Sequence, residues 1–154
     1  MGTAWRYRLF RAGRMPAELK TAGAQPGVLL AVEGVSLKIS GRSIALPGVR
    51  SGRSVNLAVG SIVLSPDRLL TSYGKWPILN ADLAETPESE HELTISPDGV
   101  HLHVSVPEIY EGGRGTFELH YRTPIKPSIL TQIPSSPRPV RLPEGIAPLA
   151  RRWA

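Results

Sequence analysis

Cysteine is absent from the 154-residue chain, and that absence removes disulfide staples, thiolate metal clusters and cysteine nucleophiles together. A chain without cysteine fits a reducing compartment, so a cytoplasmic location is the expectation. No apolar run approaches the roughly 18 to 20 residues that cross a bilayer. The opening stretch MGTAWRYR has no signal-peptide hydrophobic block either. A transmembrane segment is therefore not expected. The sequence also lacks a Gly-x-Ser-x-Gly elbow, a zincin helix motif, a dinucleotide fingerprint and a phosphate loop. With none of these, a dedicated enzyme is not expected, and no cofactor is called for.

Glycine and proline, by contrast, are abundant at fifteen each. Both interrupt helix interiors, so they argue against long helices and for short strands joined by turns. The length suits one domain, since single cores commonly span about 100 to 200 residues. In MPAELKTAG, Pro16 suits a first helical position and Gly23 a stop, which predicts one or two helical turns.

From Val28 onward apolar residues alternate with polar ones, the period of a half-buried strand. Val28, Leu30 and Val32 precede Glu33-Gly34, and Val35, Leu37 and Ile39 follow, which predicts a tight hairpin at Glu33-Gly34. Val55, Leu57 and Val59 read as one apolar face, and Ile62 and Leu64 continue in the opposite phase. That change predicts a bulge at Gly60. The tripeptide Ser-Pro-Asp occurs at 65–67 and 96–98; proline presets its torsion and aspartate bonds local amides, so both read as turns.

About eight or nine such strands predict an all-β, antiparallel, partly open barrel or sandwich. The expected organisation is a basic N-terminal arm and short helix over 1–26, an antiparallel β domain over 27–123, and a Pro-rich basic tail over 124–154. Seven prolines in that tail favour an extended conformation over a terminal helix.

Net charge is +5, and it is unevenly spread: residues 1–58 carry +7, residues 59–111 carry −7 and residues 112–154 carry +5. Alternating blocks fit self-association or intramolecular pairing at least as well as nucleic-acid binding.

The stretches GTAWRYRLF, GVLLAVEGV, LPGVRSGR, GSIVLSPDRLLTSYG, WPILNADL and LHYRTP resemble an actinobacterial protein family that is similar to bacterial pleckstrin-homology-like domains. That resemblance spans roughly residues 3–124 and implies a small, strongly bent antiparallel sheet closing on itself.

Three groups of residues carry candidate chemistry. His101 and His103 alternate with Val100, Leu102 and Val104, and His120 alternates with Leu119 and Tyr121. Were the two strands neighbours, three imidazoles and Glu118 would share one face, a donor set able to hold zinc; the plain alternative is a wet polar sheet face. In LPGVRSGRS, Arg50, Ser51, Arg53 and Ser54 lie among glycines that free backbone amides, which suits a phosphate or sulfate as well as it suits a solvated connection. Trp5, Arg6, Arg8 and Phe10 in the arm, with Pro134, Leu142, Leu149 and Trp153 in the tail, are expected to anchor partner subunits.

The function expected is a non-catalytic binding or assembly module of a bacterial cytoplasmic protein, working as a homo-oligomer or with a protein partner through arm and tail. The alternatives are a metal-dependent enzyme on the histidine cluster, and binding of nucleic acid or anionic lipid through the basic arm and loop.

Overall fold

A computed structural model describes residues 15–154. The expected arm anchors Trp5, Arg6, Arg8 and Phe10 lie outside the described residues. Helix α1 (Ala17–Gly23) supplies the expected one or two turns, with Pro16 as its N-cap, one place before the first helical position at which the sequence set it. The chain continues through β1 (Leu30–Leu46), β2 (Val49–Ser65), β3 (Arg68–Tyr73), β4 (Trp76–Asp82), β5 (Glu92–Ser96), β6 (Gly99–Ser105) and β7 (Arg114–Arg122). It ends with α2 (Pro127–Leu130), β8 (Arg138–Pro139) and α3 (Ile146–Trp153). The strands form one antiparallel sheet of eight, in the order β4-β3-β2-β1-β7-β6-β5-β8, curled into a half-barrel.

Alternation sorts each strand into an inner and an outer face. Leu37, Ile39, Leu64, Leu102, Leu119 and Tyr121 are buried on the inner side and share one core. A smaller cluster forms on the outer side, where Met15 and Leu19 cover Val63 and Leu70. Both Ser-Pro-Asp segments are hairpin turns, joining β2 to β3 and β5 to β6.

Three details depart from the sequence expectation. No hairpin forms at Glu33-Gly34. There β1 runs straight through, Gly34 takes a φ of 70°, and the register against β2 slips by one residue between Val32 and Val35. The extra residue of the bulge therefore sits on β1, not at Gly60.

On β2 the phase from Ser54 to Leu64 is unbroken, so Asn56, Ala58, Gly60 and Ile62 face inward and Val55, Leu57 and Val59 face outward. Gly60 is small for a different reason: a Cβ there would lie 2.3 Å from the Ser72 carbonyl oxygen and 2.7 Å from the Tyr121 ring.

The tail is not an extended strap. Ile146, Leu149, Ala150 and Trp153 recur at helical spacing and are all buried. Pro148 falls in the first helical turn, where no backbone donor is needed, so it does not stop the helix. Leu149 and Trp153, expected as partner anchors, belong instead to the chain's own core. Leu142 is half-buried against that core, and Pro134 stays exposed.

Candidate functional site

Strand pairing converts the outer face into rows of side chains. Across β2, β1, β7, β6 and β5, one row reads Val55, Ser40, Glu118, His103, Glu92, and the next reads Leu57, Lys38, His120, His101, Thr94. Toward the β1–β2 turn, Arg53, Arg42 and Thr116 form a third row, and Arg50, Ala45 and Arg114 a fourth. Two chemical regions result: a histidine and carboxylate region over β5–β7, and an arginine region over β2, β1 and the start of β7.

In the first region His101 and His120 are direct cross-strand neighbours. Their rings stack with centroids 3.9 Å apart and planes 17° from parallel. Asp98, from the turn before β6, lies against both, with Oδ1 3.3 Å from His101 Nε2 and Oδ2 3.7 Å from His120 Nε2. Only the shorter of these is a hydrogen bond. A hydrogen bond from Ser96, then one with His101, holds the Asp98 carboxyl below the usual aspartate range. Burial, and then the neighbouring His101, lowers the His120 pKa.

His103 stands one row away and is paired with Glu118. The expected trio of His101, His103 and His120 is thus split. Ligand atoms of Asp98, His101 and His120 lie within 4.8 Å of one another, and these three residues could hold a divalent ion. A metal must lie close to the plane of each imidazole it binds, and two stacked, near-parallel rings aim their nitrogen lone pairs side by side. One ring would have to rotate before both could converge. The hollow beside them, lined by Glu92, Thr94, His101, His103 and Glu118, has a volume of about 170 Å³, less than the roughly 300 Å³ at which small-molecule pockets begin.

The arginine region differs from its expected form. Arg50, Ser51, Arg53 and Ser54 do not form a loop; they lie inside β2. Ser51 and Ser54 pair with inward-facing Ile44 and Gly41, so they leave the arginines' side of the sheet. In their place Arg50 and Arg53 are joined by Arg42 and Arg114. All four are exposed, and no ion pair with a carboxylate engages any of them among the described residues.

Sequence reasoning missed Arg42, Arg114 and Asp98 as site members. The Ser96-Pro97-Asp98-Gly99 turn was the available signal for Asp98, because a two-residue turn pairs Ser96 with Gly99 and sets Asp98 beside the first outward residue of β6, His101. The Pro47-Gly48 turn was the available signal for Arg42, because pairing Leu46 with Val49 carries the register back to set Arg42 opposite Arg53.

Compared with protein-family models, with curated proteins and with solved structures, the chain matches none.

Proposed function

We propose that this chain is a non-catalytic binding module whose outer sheet face receives an anionic partner. One observation carries the reading: Arg42 stands directly opposite Arg53, and Arg50 and Arg114 flank Ala45 in the adjoining row. Like charges set opposite each other on a sheet destabilise it, and an anion seated between them reverses the sign of that interaction. The inner face offers no competing site there, because α3 fills it with Leu149 and Trp153. A pleckstrin-like identity for the fold belongs to the same proposal, supported by a terminal helix packed into a strongly bent antiparallel sheet.

Retention on immobilised heparin tests the reading. The wild-type chain is expected to bind at low salt and elute as salt rises. The double variant Arg42→Ser/Arg53→Ser should elute earlier, with the salt-dependence slope reduced by about two. Identical elution of the two proteins, or no retention of the wild type, would refute it.

The Asp98, His101 and His120 cluster supports a second reading, a divalent-metal site. That reading requires saturable uptake of one zinc ion per chain, lost in His120→Ala. The binding-module reading expects no saturable uptake when the protein is titrated with zinc at micromolar concentration.

A further inference from the structure

Strand β2 is 17 residues long, yet β3 pairs with it only over Gly60–Ser65. Along residues 49–59 no described strand lies on that side. One hydrogen bond fixes which backbone groups point into the gap. The Gly74 amide donates to the Val59 carbonyl at 2.8 Å, so the polar groups of Val59 face the β3 side. Backbone direction alternates every residue along a strand, so the N–H and C=O of Leu57 and Val55 point the same way, where β3 is absent. Such unpaired edge groups are a template for another strand.

Side chains along this edge are not those of a protected one. Val55 is 58% exposed and Leu57 80% exposed. Trp76, at 42%, pairs with Tyr73 at the end of the gap. Val55 and Leu57 are neighbours on the outer face of this edge, whereas Trp76 stacks on Tyr73 toward the inner side where the gap ends. Isolated exposed apolar side chains are ordinary, but a cluster along an unpaired strand marks an interaction surface.

Charge selects the occupant. Arg50 and Arg53 stand on the edge strand itself, Arg42 and Arg114 lie behind them, and the Arg152 guanidinium sits 5.3 Å over the Trp76 ring. The acids in Val55's row, Glu118 and Glu92, lie two and four strands away, and Glu118 is paired with His103. A second copy presenting the same edge would add two more arginines and no carboxylate to meet them, since residues 49–59 contain no acid. The chain's own first 14 residues carry four arginines and no acid, so they match no better.

We propose that the free edge of β2 accepts an acidic, extended polypeptide segment as an added strand, its carboxylates meeting Arg50 and Arg53 and its apolar side chains meeting Val55 and Leu57. This rests on the binding-module reading and names its partner class. Main-chain hydrogen bonds would supply affinity and the outward residues specificity, as in other strand-addition complexes.

The test uses the full chain and a fluorescein-labelled peptide that alternates threonine with valine, leucine, glutamate and aspartate, followed by fluorescence anisotropy. A control peptide, N-methylated at alternate residues, keeps the charge but cannot complete a ladder. Saturable binding is expected, weakened about tenfold or more by N-methylation and by Arg50→Ser/Arg53→Ser. Leu57→Pro should weaken it too, because the donor it removes points into the gap and not toward β1. Equal binding of the methylated peptide would overturn strand addition, whether or not the proline variant folds. So would no binding, displacement of the peptide by phosphatidylserine vesicles, or a particle mass that doubles as protein concentration rises. Heparin retention persisting while the peptide fails would sink this inference alone; loss of both would sink the binding-module reading as well.

Discussion

The His91 side chain is 6% exposed. Its Nδ1 accepts the Ser105 amide at 2.9 Å, and its Nε2 lies 3.2 Å from Glu108. In sequence it sits in an acidic loop that reads as solvated, and nothing local reveals that the end of β6 folds over it. Burial is the first cause lowering its pKa. Glu108 and Glu90 oppose that shift, while His103 adds to it. Protonation at Nδ1 would also set two donors against each other at the Ser105 amide. With the folded pKa below the unfolded value of about 6.5, the unfolded chain binds the proton more readily. Stability is therefore full above that value and is lost as pH falls below it. Denaturant midpoints should drop between about pH 7.5 and 5.5. His91→Asn keeps an acceptor near Nδ1 without titrating, so it should flatten that drop while costing about 1–2 kcal/mol at neutral pH. An unchanged pH slope in this variant would show that His91 is not the group responsible.

At the scale of elements, the period-two pattern was enough to place most strands, because inner-face positions such as Leu37, Ile39, Leu102 and Leu119 are apolar without interruption. Turns were legible where proline and glycine dictate torsions, as at 65–67 and 96–99. Pattern misleads on β2, where Val55, Leu57 and Val59 look like a core face and in fact stand outside. Apolarity alone cannot say which face of a strand is buried when both carry apolar residues. The tail misleads in the opposite sense: a count of prolines suggests extended chain, yet Pro148 occupies the one part of a helix that accepts it, and the spacing of Ile146, Leu149, Ala150 and Trp153 was the better signal. The candidate site was half legible for a related reason. Which residues face outward on β6 and β7 follows from alternation, but His101 opposite His120, with His103 opposite Glu118, is a register, and register is settled by the whole sheet.

Taken whole, the molecule joins what sequence keeps apart. The basic blocks at either end of the chain meet where α3 returns to the β1–β2 turn: Arg151 donates to the Pro47 carbonyl at 2.6 Å, and the Asn56 amide donates to the Trp153 carbonyl at 2.8 Å. Residues 124–154 also supply Ile125, Val140, Ile146, Leu149, Ala150 and Trp153 to the main core. A tail that only gripped a partner would leave the stability of the β sheet unchanged when removed. A tail that completes the core would not, because its loss bares Phe117 and Tyr73, both of which meet the Trp153 ring edge to face. Ending the chain at Thr123 should therefore abolish cooperative unfolding in denaturant, followed by near-ultraviolet circular dichroism. Trp153→Ala is the milder form of the same lesion and should cost about 3–5 kcal/mol, the usual range for emptying a large aromatic site. A shortened chain that still unfolds cooperatively at the wild-type midpoint would mean that the half-barrel closes without its helix, and that the surface expected to anchor a partner is free after all.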